Sequence, residues 1–154
     1  MDPRSEGILA HVHPDLAKVM RAAAQTPQPF EVIYGLRTLA AERIAVSSGH
    51  SETLHSRHLP NAQGLACAVD VAALDHGKIS FEAGHEAYFF GAIAVQITMA
   101  AKTLGIPIQW GGAPVGAWTP GVVSTFRDFG HFQLPWAQYP ADGPPVSAPF
   151  PTPV

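Results

Sequence analysis

Side chains of the types that hold metals and move protons stand in two widely separated clusters of this chain. His58 ends the run Thr53-Leu-His-Ser-Arg-His, and Asp70 follows beyond a Gly-bearing loop, inside the apolar stretch Ala66-Cys-Ala-Val-Asp-Val. Far downstream, Asp128-Phe-Gly-His131-Phe-Gln-Leu supplies a second histidine and a second carboxylate. Two imidazoles and one carboxylate form a borderline-soft N/N/O set, suited to a four-coordinate zinc with one open position for water, whose pKa falls there to roughly 7. His58, Asp70 and His131 fill the three places, one zinc per chain. Asp128, three residues before His131, can lie beside the metal without binding it. There it could take a proton from the attacking water and pass it to a leaving amine. Arg37, in Tyr34-Gly-Leu-Arg-Thr38, offers a fork of donors for a substrate carboxylate or carbonyl oxygen on which negative charge develops.

Each piece also has a plain alternative. With eight histidines in 154 residues, chance His/Asp pairs are common. An Asp three residues before a His serves equally as a loop cap or Asx-turn, Arg37 as a surface cation, and Gly111-Gly112 after Trp110 as a turn. His55 is the alternative ligand to His58, and His50 is a candidate for lining the cleft. His11, His13, His76 and His85 read as surface or structural. Trp110 reads as packing beneath the site, with a substrate-facing cleft wall as its second reading; Trp118 and Trp136 stay open.

The elements that must position these residues are legible from periodicity. Residues 14–25 repeat apolar positions at helical spacing (Leu16, Val19, Met20, Ala23), with Asp15 to cap or complement the N-terminal dipole, and Thr26-Pro-Gln-Pro ends the helix. Phe30–Tyr34 reads as a strand closed by Gly35. A second helix is expected from Thr38, as N-cap, to about Val46, followed by a turn at Ser47-Ser-Gly-His-Ser. Ala68–Ala73 reads as a buried strand whose alternation puts Ala68, Asp70 and Ala72 on one face and Cys67, Val69 and Val71 on the other, so Cys67 points away from the metal. A long helix is expected from Phe81 or Glu82 to Leu104, stopped by Gly105 and Pro107. Ile106–Trp110 and His131–Leu134 read as short strands, with His131 and Gln133 on one face of the latter. Helices flanking non-adjacent short strands give an α+β fold, a small and mostly antiparallel sheet with helices packed on it.

Composition bounds the rest. The length fits one domain with a real core, and 47% apolar with 14% charged residues is globular. A net charge of −3 without a basic cluster argues against nucleic acid. The single cysteine, Cys67, cannot form an internal disulfide. The N-terminus lacks the basic and apolar regions of a secretory signal, and the most apolar segment, about Tyr88 to Leu104, carries Gln96, Thr98 and Lys102 and falls short of a membrane span. Synthesis in the cytoplasm without stable membrane association is expected. Residues 1–134 read as a catalytic domain. Residues 135–154, with seven prolines, read as an extended or mobile tail that can lie over the domain surface.

Several segments, in order, resemble the M15 family of zinc peptidases, in its branch of phage-endolysin-like L-alanyl-D-glutamate peptidases and D-Ala-D-Ala carboxypeptidases. They are Tyr34-Gly-Leu-Arg-Thr, Gly49-His-Ser51, Ser56-Arg-His58 with Ala68-Val-Asp70, Gln109-Trp-Gly-Gly112 and Asp128-Phe-Gly-His131-Phe. The resemblance implies a hedgehog/DD-peptidase-like fold, zinc on His58, Asp70 and His131, and Asp128 as general base. It also implies substrate contact by Arg37, with Ser56 beside the ligand histidine. The implied substrate is the peptidoglycan stem peptide, cut between L-Ala and D-Glu. The implied agent is a monomeric phage lysin that leaves the host cytoplasm for the periplasm and cell wall with the help of a holin-type partner. Cleavage of D-Ala-D-Ala and a non-catalytic zinc-containing wall-binding module are the alternatives. The chain departs from the family pattern in three places. Twelve positions separate His58 from Asp70, with Pro60-Asn-Ala-Gln-Gly64 lengthening the loop; Glu42 stands where a Gln is usual; and Gln133 follows Phe132 where a Glu is frequent.

Overall fold

The computed structural model describes residues 1–50, 54–79, 86–112 and 128–142. Its elements, in chain order, are α1 (Pro3–Leu9), α2 (Pro14–Ala23), β1 (Phe30–Tyr34), α3 (Leu39–Ser47), β2 (Ala68–Asp75), β3 (Lys78–Ile79), α4 (Glu86–Leu104), β4 (Gln109–Trp110) and β5 (His131–Gln133). The sheet runs β1-β2-β5-β4 with β3 hairpinned onto the far end of β2, and every strand pair is antiparallel. The fold is therefore α+β with a small antiparallel sheet, as the sequence predicts.

β2 organises the molecule because it is paired on both edges. Its register with β1 sets Phe30 against Ala73 and Tyr34 against Asp70, with an irregularity between Val32 and Tyr34. Its register with β5 sets Asp70 against His131. Alternation sends Cys67, Val69, Val71 and Ala73 into the apolar cluster. There they meet Leu16, Val19, Met20 and Ala23 of α2 and Phe90, Ile93, Ile97 and Ala101 of α4. Fully burying a side chain of the Leu, Ile or Phe class contributes about 1.5–3 kcal/mol, so this layer carries the fold while the opposite face of β2 is left for polar work.

Local chemistry explains the element ends. Thr38 caps α3 by accepting from the Ala41 amide at 3.1 Å. α2 is capped by His13, whose Nδ1 accepts from the Asp15 amide at 3.2 Å, while Asp15 itself sits inside the first turn. α4 closes with Gly105 at φ +68° and the Ile106 amide bonded back to Ala101 O at 2.9 Å, a Schellman-type stop. That bond uses the amide of Ile106, and Pro107 has none, so the strand expected over 106–110 shortens to Gln109–Trp110. The first residues of the expected long helix, 81–85, lie outside the described residues. β2 runs past Ala73 to Asp75 because His76 and Gly77, at φ +47° and +77°, form a tight turn into β3.

α1 is an addition to the elements the sequence predicts. Asp2 caps it by accepting from the Ser5 amide at 2.9 Å and from the Ser5 hydroxyl, and Pro3 sits at its first position. The same hydroxyl accepts from the Val32 amide at 3.0 Å, tying the helix to β1. No helix among the described residues is long and apolar enough to cross a membrane.

Candidate metal centre

The antiparallel β2–β5 register makes Asp70 and His131 direct cross-strand neighbours, which brings their Cβ atoms to roughly 5 Å. His58 arrives from the loop between α3 and β2. Its ring is held from behind, because Nδ1 donates to Gly35 O at 2.7 Å. Gly35 is itself pressed against Ile8 and Val12, where a Cβ would stand 2.8 and 2.9 Å from their methyl carbons.

The three residues meet at one point. His58 Nε2 lies 3.2 Å from Asp70 Oδ1 and 3.2 Å from His131 Nδ1, and His131 Nδ1 lies 3.1 Å from Asp70 Oδ1. Three donors bound tetrahedrally to one zinc at bond lengths of about 2.0–2.1 Å stand roughly 3.3 Å from one another, so the triangle has the dimensions of one face of such a site. Tautomers agree. His58 spends its ring proton on Gly35 O, and His131 Nε2 faces Gln133 Oε1 at 3.0 Å, while the Gln133 amide donates to Gln109 Oε1 at 3.0 Å. In neutral rings the nitrogens left facing each other are both lone-pair acceptors, beside a carboxylate oxygen. That concentration of lone pairs could hold a cation at its centre, and the outer partners fix ring orientation as they do in metal sites. Among the described residues this is the one group of three or more His, Cys, Asp or Glu side chains that could hold a metal ion.

The lengthened connector does not separate the three candidate ligands. Asn61 Oδ1 accepts from the amides of Gln63 and Leu65 at 2.9 and 3.0 Å, and Gly64 turns at φ +77°. The extra residues thus fold into a local turn, and the Cys67 amide returns to Arg57 O at 2.8 Å. Cys67 is buried on the core side, within 3.7 Å of Asn61 Nδ2.

Electrostatics follow from this crowding. Burial alone pushes the Asp70 carboxyl up, but the two imidazoles set against it, His58 first and then His131, outweigh that and hold the carboxyl well below the usual range. Burial pushes His131 down, and its bond to Asp70 together with the charges of Asp70 and Asp128 more than reverses this, so it is raised. Asp128 feels burial first and the Asp70 charge second, and its carboxyl is raised. It stands beside the donor triangle rather than in it, as its position before His131 leads one to expect, and a raised carboxyl suits a group that must take and release a proton.

Two glycines let the Asp128–Gly130 turn approach. A Cβ on Gly111 would stand 2.5 Å from Asp128 O, and one on Gly130 would stand 2.7 Å from Val71 O. Trp110 lies under this turn, donating from Nε1 to Phe129 O at 2.8 Å and stacking over Phe132. Arg37 spans the rim: Nη1 pairs with Glu42 Oε2 at 3.0 Å, Nη2 lies 3.8 Å from Asp70 Oδ2, and its amide donates to His58 O at 2.9 Å. Glu42 is fully buried. Ser56 Oγ accepts from the His58 amide at 3.2 Å. His50 is exposed and bonded to Ser48 Oγ, and His55 stacks on Trp136 with ring centroids 4.3 Å apart; neither belongs to the donor cluster.

Residue-by-residue reading passed over the supports of the ligands: Gly35, Gln109 and Gln133. Gln133 left a signal, since strand alternation places it on the face of His131; the backbone carbonyl of Gly35 left none.

The chain is 32% identical over 111 residues to the L-alanyl-D-glutamate peptidase of Escherichia phage T5, covering 70% of this chain and 75% of that protein. It superposes with a TM-score of 0.72 on the crystal structure of the Serratia marcescens L-Ala D-Glu endopeptidase ChiX, at 39% identity over 91% of this chain and 92% of that one. The family model described as phage L-alanyl-D-glutamate peptidase matches residues 1–134, and the chain belongs to that family.

Proposed function

We propose that the chain is a zinc-dependent endopeptidase of peptidoglycan that hydrolyses the stem peptide between L-Ala and D-Glu, with His58, Asp70 and His131 as its metal ligands. The observation that carries this reading is the convergence of two imidazole lone pairs and a carboxylate oxygen at mutual distances of 3.1–3.2 Å, in a chain whose relatives are named for that bond. Zinc in that position supplies a Lewis acid for the scissile carbonyl and an acidified water. Asp128 accepts a proton from the attacking water at its carboxylate and delivers it to the leaving amine of D-Glu. Arg37, anchored on Glu42 with its second amino group turned to Asp70, offers its remaining donors to a substrate carboxylate or to the carbonyl oxygen as charge develops. Ser56 steadies the His58 backbone, Trp110 supports the Asp128 turn, and His50 contributes to the wall of the cleft near α3. The same reading makes the protein a monomeric lysin that passes from the host cytoplasm to the wall through a lesion opened by a holin-type partner.

Digestion of purified muropeptides followed by mass analysis tests the bond: a new N-terminal D-Glu is expected. Loss of a terminal D-Ala would instead establish a D-Ala-D-Ala peptidase. Chelation should abolish turnover and added zinc restore it; metal-free protein of equal activity would overturn the mechanism.

A further inference from the structure

The segment after β5 does more than end the chain. Leu134 bonds to Cys67, its amide donating to Cys67 O at 2.9 Å, and Arg57 Nε donates to Leu134 O at 3.1 Å. The Arg57 guanidinium, 4% exposed as a residue, lies 4.1 Å from the ring centroid of Trp136, and His55 stacks on that same ring. Further along, Tyr139 is buried, its ring edge-on to His13 and its hydroxyl donating to Asp15 Oδ2 at 3.0 Å. The Ala62 amide closes the arrangement on Ala141 O at 2.6 Å. Residues 134–142 therefore touch both flanks of the lengthened loop and the neck of α2.

Arg57 is the pivot. Among the described residues no carboxylate partners its charge and its Nη2 has no hydrogen-bond partner, so the Trp136 face is the compensation seen there; such contacts strengthen when desolvated. Arg57 precedes His58 directly, and its carbonyl accepts the Cys67 amide. Whatever fixes Arg57 therefore fixes the backbone from which His58 reaches the cluster. Asp70 and His131 need no such help, being locked by strand pairing.

We propose that residues 135–142 act as a strap, with Trp136, held between Arg57 and His55, as a positioning residue for the loop that carries His58. The family match ends at residue 134, so residues 135–142 lie beyond the matched segment while their anchors Arg57 and His55 lie within it. The consequence for metal retention rests on the reading of His58, Asp70 and His131 as zinc ligands; the mechanical claim does not.

The test uses the full chain with Trp136→Ala and Trp136→Phe. Zinc dissociation is followed by transfer to a chromophoric chelator, and amide hydrogen exchange is followed in the metal-free protein. Trp136→Ala should release zinc about tenfold faster, at the lower end of what lost outer-shell contacts cost a metal site, and Trp136→Phe should recover most of the difference. In metal-free Trp136→Ala the amides of Cys67 and Arg37, bonded to Arg57 O and His58 O, should exchange faster, while Val71, bonded to Gly130 O, keeps its protection. Unchanged exchange at Cys67 and Arg37 would overturn the strap, and so would equal acceleration at Val71, which would mark a general loss of stability. Selective loosening in a protein whose wild type takes up no zinc would uphold the strap and overturn the metal reading. If Trp136→Ala does not fold, Arg57→Lys, which keeps the charge and loses both the flat stack and the Nε bond to Leu134 O, tests the same strap from its other side, with the same exchange outcomes expected.

Discussion

At the residue scale, two carboxylates that feel each other's charge are set apart by their surroundings. The two histidines against it hold Asp70 below the usual carboxylate range, whereas burial and the neighbouring Asp70 charge raise Asp128. Asp128→Asn should therefore lower turnover by about 10²–10⁴-fold, the usual weight of a positioned acid–base group, while elemental analysis still finds one zinc per chain. A wall-binding module without turnover would be indifferent to the change. Glu42 is a different case. It is the one buried side chain of α3, and it pairs with a mostly buried Arg37. Removing one partner of a buried pair costs 3–5 kcal/mol. Because Arg37 keeps some solvent and also faces Asp70, Glu42→Ala should cost about 3 kcal/mol in urea unfolding of the metal-free protein, and Glu42→Gln clearly less. The contact at this position is thus ionic, and Arg37 is the residue it orients.

At the scale of elements, the cap of α2 carries a pH dependence. His13 is buried, and its neutral Nδ1 accepts the Asp15 amide. Desolvation, with lesser help from the Arg57 and Lys18 charges, lowers its pKa below the ordinary 6.5 despite Asp15. A histidine lowered in the folded state binds its proton more readily when unfolded, so stability rises with pH across this interval. The contribution is complete above about pH 6.5 and drains away as pH falls through the folded value. The stability advantage of wild type over His13→Asn, which keeps a capping oxygen but does not titrate, should shrink between pH 7.5 and 5.5 in paired urea melts; a constant difference would exclude the cap as its source. The turn at 128–130 makes a second case. Gly130→Ala would drive a methyl against Val71 O, backbone that cannot yield cheaply, and overpacking of this kind costs about 1–3 kcal/mol. Activity should fall with stability, since the displaced turn carries Asp128.

Elements differed in how far the sequence exposed them. β1 was legible to the residue because Phe30–Tyr34 alternates and is bounded by Pro29 and Gly35. α2 and α3 were legible from apolar spacing and from Thr38. α1 was not, since a helix of seven residues has too few turns to show periodicity; its one clue, Asp2-Pro3, is a capping signal rather than a pattern. The 75–79 hairpin turns at His76 and Gly77, both at positive φ, and the His-Gly pair is a weaker turn signal than Asn-Gly or Asp-Gly. Of the site, ligand types and order could be read, but their convergence could not, because it depends on the β2–β5 register and on a carbonyl, Gly35 O, that no side-chain motif records.

The whole molecule follows from that convergence. The candidate ligands come from a loop, from the central strand and from the last strand, so a cation bound among them would cross-link segments more than seventy residues apart in sequence. The unfolded chain has no such site, and binding free energy therefore becomes folding free energy. With free zinc at 1,000 times its dissociation constant the gain is about 4 kcal/mol, and a chain of this length gains about 2–4 °C per kcal/mol. Zinc should thus raise the melting temperature of the chelator-treated protein by on the order of 10 °C. His131→Ala, which deletes one ligand and leaves the β2–β5 backbone pairing in place, should melt at the same temperature with and without zinc. A wild-type shift of that size absent from the variant ties the stabilisation to the three-residue centre; an equal shift in both would trace it to other sites, with the remaining histidines the first to examine.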